Sequence, residues 1–191
     1  MQNKLVIFVS GAVLALGACG KHEATSDNTA TDLNAALDNS VIENTAVAPS
    51  PLTAQGFANT AAASDRFEIE SSKLAAASAS SAAVKKFAAQ MVTAHTASTA
   101  KLKSTTAALS PPITPDDTLS ADQQSKLDSL KGLTGTAFDT AYASAQVDAH
   151  QATLDALKNY AASGDNAELK TFANGMVPTV TAHLNLAKGL K

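Results

Sequence analysis

A single cysteine, Cys19, stands among 191 residues, and tryptophan is absent. One thiol excludes a disulfide framework and a CxxC-type zinc site. Aromatic residues make up 4% of the chain and glycines number nine. A β-sandwich or barrel would ask for more Val, Ile, Tyr and Phe. A phosphate-cradling loop would ask for a glycine-rich string, and a hydrolase for a GxSxG-type turn; neither is present. The formal charge of −3 leaves no basic footprint for nucleic acid. What the chain does contain is alanine, about a fifth of all residues. Its 45% apolar content is therefore small-residue bulk, suited to closely packed helices.

The N-terminus reads as an address. Residues 1–18 carry one charge, Lys4, followed by an apolar run from Leu5 to Leu16. Twelve or so residues span roughly 18 Å as helix, too short for a hydrocarbon core of about 30 Å, so the run is an export signal. Leu16-Gly17-Ala18-Cys19 resembles a bacterial lipobox, in which the cysteine is acylated and becomes the first mature residue. That assigns a lipidation role to Cys19 and a membrane partner to its acyl chains, each buried CH₂ contributing about 0.8 kcal/mol. By resemblance to lipoprotein sorting, Gly20 directs the chain to the outer membrane, facing the periplasm. Residues 19–55 then form an acidic tether of Ala, Thr, Asn, Asp, Ser and Pro, closed by Pro49 and Pro51.

The remainder, 56–191, balances its charges and reads as helices with clear punctuation. Long helices are predicted over about 57–80, 82–109, 135–162 and 165 to the C-terminus. The run Ala75–Ala83 makes a small-residue corner between the first two. Pro111, Pro112 and Pro115 break the chain after the second. Ser120 and Gln123 have capping-box spacing and open a short extra helix ending near Lys131. Ser163-Gly164 ends the third long helix, and Asp165 with Glu168 opens the fourth. The expected fold is all-α: an antiparallel four-helix bundle with a short helix between its second and third members. Spacing alone leaves open whether the topology is simple up-and-down or has a long crossover.

Written at 3–4 spacing, each helix shows an apolar seam interrupted by one strongly polar residue. The seams are Ala63, Phe67, Glu70, Leu74; Val84, Ala88, Met91, His95, Leu102; Val147, His150, Leu154, Leu157; and Phe172, Met176, Val180, His183, Ala187. Counting from the connecting turns puts Glu70, His95, His150 and His183 at roughly 15 to 26 Å along the axes, all near mid-bundle. A carboxylate and three imidazoles in one apolar layer suit a single divalent ion such as Zn²⁺, Cu²⁺ or Fe²⁺. Pro178, one turn before His183, either aims that ring or curves the helix around the core. Asp139 and Tyr142 read as structural hydrogen-bonding groups near the start of their helix.

The strings FEIESSKLA (67–75), VKKFAAQMVTAH (84–95), FDTAYASAQVDAH (138–150) and LKTFANGMVPTVTAHL (169–184) resemble the domain of unknown function 4142 family. That resemblance implies an exported bacterial protein with a ferritin-like four-helix bundle, its recurrent polar positions falling on Glu70, His95, His150 and His183. Members commonly carry Asp before the first two histidines, where this chain has Ala94 and Ala149. The ExxH pairs of di-iron bundles are also missing, since Val92, Val147 and Val180 precede the histidines by three.

Two functional readings follow. One is an envelope lipoprotein binding one metal ion through Glu70, His95, His150 and His183. The other is a non-catalytic structural or interaction lipoprotein with a protein partner, its Glu/His layer serving only to specify the bundle. No acid–base or nucleophile constellation accompanies the histidines, so an enzyme is not expected.

Overall fold

Alanine-rich segments with capping residues at their starts become helices wherever the sequence offers both. The computed structural model describes residues 50–190; the expected signal peptide, Cys19 and the expected tether as far as residue 49 lie outside the described residues. Five helices follow: α1 (Ala54–Ser78), α2 (Ala82–Ala107), α3 (Ala121–Lys131), α4 (Gly135–Ser163) and α5 (Ala167–Lys188). Among the described residues no helix is long and apolar enough to cross a membrane.

Four of the five starts are set by side-chain caps, while Thr134 makes no such bond at the start of α4. Thr53 accepts from the Gly56 N–H, so α1 begins three residues earlier than its apolar pattern indicates. Ser81 caps α2, and Ser120 with Gln123 forms the full capping box expected for α3. The last helix departs from expectation. Its cap is Asn166, which accepts from the Leu169 N–H, whereas Asp165 accepts a hydrogen bond from the Tyr160 hydroxyl. An Asn one position later offers the same acceptor, and Tyr160 has already engaged the aspartate. Pro178 lies within α5, which runs unbroken through it.

α1 and α2 form a tight hairpin, as do α4 and α5; α1 also packs on α4, and α2 on α5. Cross-helix hydrogen bonds fix the direction of the α1–α4 pair. Ser72 meets the Tyr142 hydroxyl at 2.7 Å, and Ser64 meets Thr153 at 2.6 Å, so residue numbers fall on one helix as they rise on the other. α4 is thus antiparallel to α1 and parallel to α2. A parallel pair cannot be joined by a short turn, so the chain between α2 and α4 travels the length of the bundle. The fold is therefore a four-helix bundle with one long crossover, the ferritin-like arrangement.

Polar contacts hold that crossover against α1. The Gln55 amide donates to the Thr114 carbonyl, the Asp116 N–H donates to Asn59, and Arg66 lies 3.4 Å from Asp117. α3 then packs across α1 and α4. At the far end Asp139 accepts the N–H groups of Ser80 and Ser81 and the Ser80 hydroxyl, tying α4 to the α1–α2 turn. Those bonds, the Ser80 hydroxyl foremost, hold its carboxyl below the usual range.

The core has two halves. One gathers Phe67, Phe87, Met91, Phe138 and Tyr142, and the other Phe57, Leu102, Leu154, Tyr160 and Phe172. Each such side chain contributes about 1.5–3 kcal/mol on burial. Between the halves, at mid-height, lies a polar layer.

Candidate metal centre

The layer is built from four helices. α1 supplies Asp65 and Glu68, α2 His95, α4 His150 and α5 His183. His95 and His150 are 4% and 1% exposed, Asp65 and Glu68 are 5% and 1%, and His183 is half-buried. The three imidazoles form a nearly regular triangle, with ring centroids 5.6, 5.7 and 5.5 Å apart.

Two of the rings are braced from behind. His95 Nδ1 lies 2.7 Å from Asp65 Oδ1, and His150 Nδ1 lies 2.8 Å from the Gln146 carbonyl. Both partners accept, so each Nδ1 carries the proton and each Nε2 keeps its lone pair. Three ring nitrogens have no protein partner: His95 Nε2, His150 Nε2 and His183 Nδ1 are all buried and unbonded. One nitrogen from each ring lies within 4.8 Å of the others. Metal–nitrogen bonds of about 2.0–2.1 Å place ligand nitrogens roughly 3.4 Å apart around a tetrahedral ion, so small side-chain movements would close the set.

The carboxylates complete the electrostatics. Glu68 Oε1 lies 3.5 Å from His150 Nδ1, and neither Glu68 oxygen has a hydrogen-bond partner. Burial is the main reason its pKa rises to about 7. Burial likewise pushes His150 and His183 down to about 4. Burial also acts to lower His95, but the Asp65 hydrogen bond and the Glu68 and Asp65 charges outweigh it, so the net shift is upward.

The three histidines expected on the seams are thus brought together, and the carboxylate expected with them is not. Glu70 points away from the layer, half-exposed, and pairs with Arg66 at 2.8 Å. The buried stripe of α1 runs through Ser64, Asp65, Glu68, Ser71, Ser72 and Ala75. Ala63 and Phe67 of the expected seam are buried on the same face, but beside them this stretch is polar, so apolar spacing ran on from Phe67 to Glu70 and passed over Asp65 and Glu68. Tyr142 and Asp139 take the structural roles expected of them.

Residues 40–190 match the family described as domain of unknown function DUF4142. The chain belongs to this family. Among solved structures, the DUF4142 fold here is similar to CopM in its Cu(II)-bound form. The TM-score is 0.59 at 15% identity, covering 72% of this chain and 94% of that one. CopM in an Ag-bound form matches with a TM-score of 0.57, also at 15% identity, covering 72% and 93%. At that identity the likeness speaks to the fold. No curated protein has a matching sequence.

Proposed function

We propose that this DUF4142 protein is an envelope lipoprotein that binds one divalent metal ion in its bundle core through His95, His150 and His183. The observation that carries the reading is the convergence of three buried ring nitrogens, each from a different helix, with no protein partner. Leaving a buried polar atom unpaired costs about 1–3 kcal/mol. A layer whose task was only to specify the bundle would have its nitrogens bonded, as the neighbouring Ser72–Tyr142 and Ser71–Gln146 contacts are. The CopM structures with Cu(II) and Ag support a metal reading of this fold without fixing the ion.

An all-imidazole donor set suits Zn²⁺, Cu²⁺ or Fe²⁺. Asp65 and Glu68 stand behind two of the ligands, and together they would balance a divalent charge within the core. Such carboxylate–histidine braces fix the tautomer and strengthen the ligand. Acylated Cys19 and the acidic tether would hold the bundle at the periplasmic face of the outer membrane.

The test is elemental analysis of the untagged full chain with Cys19→Ser, exposed to Zn²⁺, Cu²⁺ or Fe²⁺ and desalted. About one equivalent is expected to be retained and to be lost in His150→Ala. A cooperatively melting protein that retains none would overturn the reading.

A further inference from the structure

The three ligands are not equivalent, and the inequality has a direction. His95 and His150 are sealed in the core and braced by Asp65 and the Gln146 carbonyl. His183 is half-buried and has no such brace among the described residues. It also forms part of the wall of a surface groove between α2 and α5, together with Gln90, Met91, Ala94, Ala182 and Leu186. Met91 is itself fully buried, one turn from His95 on α2, and marks where the groove meets the core. Pro178 removes the backbone donor that would reach the Asn174 carbonyl, so α5 lacks one hydrogen bond in the turn preceding His183.

The opposite face carries a hollow of its own, away from the histidines. The hollow between α1 and α4 is lined by Phe57, Ser64, Phe67, Ala149, Ala152 and Thr153 among others, and none of the three histidines reaches it. The Ser64–Thr153 hydrogen bond, at 2.6 Å, bridges the two helices there.

We propose that metal enters and leaves the core through the α2–α5 groove, with His183 as the ligand that captures the ion first and releases it last to solvent. This rests on the three-histidine reading and adds a function to it: the site exchanges its ion with the surroundings instead of locking it in as structural metal. A closed structural site would have all its ligands braced and sealed. Here two ligands are fixed as a pre-formed half-site, and the third stands at the boundary with solvent.

The experiment follows Zn²⁺ loading and its release to a chromophoric chelator by stopped flow, using the untagged full chain with Cys19→Ser. Ala94→Phe, in the groove wall, narrows the path without replacing a ligand. Ala152→Phe places the same bulk on the α1–α4 face. With Ala94→Phe, loading and release are both expected to slow by about tenfold or more while Kd changes less than about twofold, because an obstructed path alters both rates together. Ala152→Phe is expected to leave both rates unchanged. Unaltered rates in a metal-binding Ala94→Phe protein, or equal slowing by Ala152→Phe, would overturn the α2–α5 route while leaving the three-histidine site intact. Failure of the unsubstituted groove protein to bind Zn²⁺, Cu²⁺ or Fe²⁺ would remove both.

Discussion

Asp65 is not among the ion's proposed ligands, yet it sets which nitrogen of His95 faces the centre. Its carboxylate accepts the Nδ1 proton at 2.7 Å, and Thr99 Oγ1 lies 3.2 Å from its other oxygen. An Asn at this position weakens the brace and admits the wrong tautomer. Asp65→Asn is therefore expected to cost roughly 10–100-fold in metal affinity, read by competition titration. Glu70→Gln, on the Arg66 side of the same helix, is expected to leave affinity unchanged. A reversed ranking would return the carboxylate role to Glu70. The three histidines were legible in the sequence because each interrupts a seam that is otherwise apolar. Asp65 and Glu68 were not, since the buried face of α1 mixes Ala63 and Phe67 with Ser64, Ser71 and Ser72, and hydrophobic spacing carried on from Phe67 to Glu70 instead. Counting did hold a signal: His95 lies about fifteen residues past the α1–α2 turn, and a partner at equal height on α1 lies about fifteen before it, at Asp65.

Among the elements, the hinge between α4 and α5 is the most exacting. Tyr160 is fully buried, stacks on Phe57 at 4.1 Å, and donates its hydroxyl to Asp165. Gly164 ends α4 directly over that ring, and a Cβ there would lie 2.6 Å from a ring carbon. The ring cannot swing aside without losing both its stacking and its hydrogen bond. Gly164→Ala is expected to destabilise the protein by about 1–3 kcal/mol, the usual cost of overpacking, measured by urea denaturation. A neutral result would show that the Tyr160 corner yields. The sequence marked this hinge correctly by its Ser-Gly pair but placed the α5 cap one residue early. Helix number and length were legible for a simple reason: Pro111, Pro112, Pro115 and the capping residues act locally. The crossover was not, because it depends on contacts such as Gln55 with Thr114 and Asn59 with Asp116, which spacing along the chain does not reveal.

At the scale of the whole molecule, the buried layer ties folding, protonation and metal together. Consider the metal-free protein as pH falls from about 6.5 to 4.5. His150 and His183 stay neutral in the fold down to about 4, whereas the unfolded chain protonates both from 6.5; their contribution is present above 6.5 and is lost on acidification. Glu68 acts oppositely, since it is already protonated in the fold below about 7 but not in the unfolded chain until 4.5. His95, raised in the fold, is protonated in both states over this window and adds no slope there; its contribution is fully present below 6.5 and is lost only as pH rises through its folded pKa. The unfolded chain thus holds about one proton more, so stability should fall toward acid by at most about 1.4 kcal/mol per pH unit, less because solvent reaches His183. Glu68→Gln removes the opposing contribution and should steepen that fall. Metal affinity follows from the same groups. An ion binding to the folded layer finds His150 and His183 already deprotonated, and displaces a proton only from His95 and from Glu68. Affinity for Zn²⁺ is therefore expected to drop by about one to two log units per pH unit between 6.5 and 4.5, measured by competition at each pH. Three solvent-exposed imidazoles would give a slope of three, and that slope would contradict a buried site. Where the ion stands at about 100 times its Kd, it adds about 2.7 kcal/mol to folding, so the melting temperature should rise by several degrees and lose that increment along the same shallow pH profile.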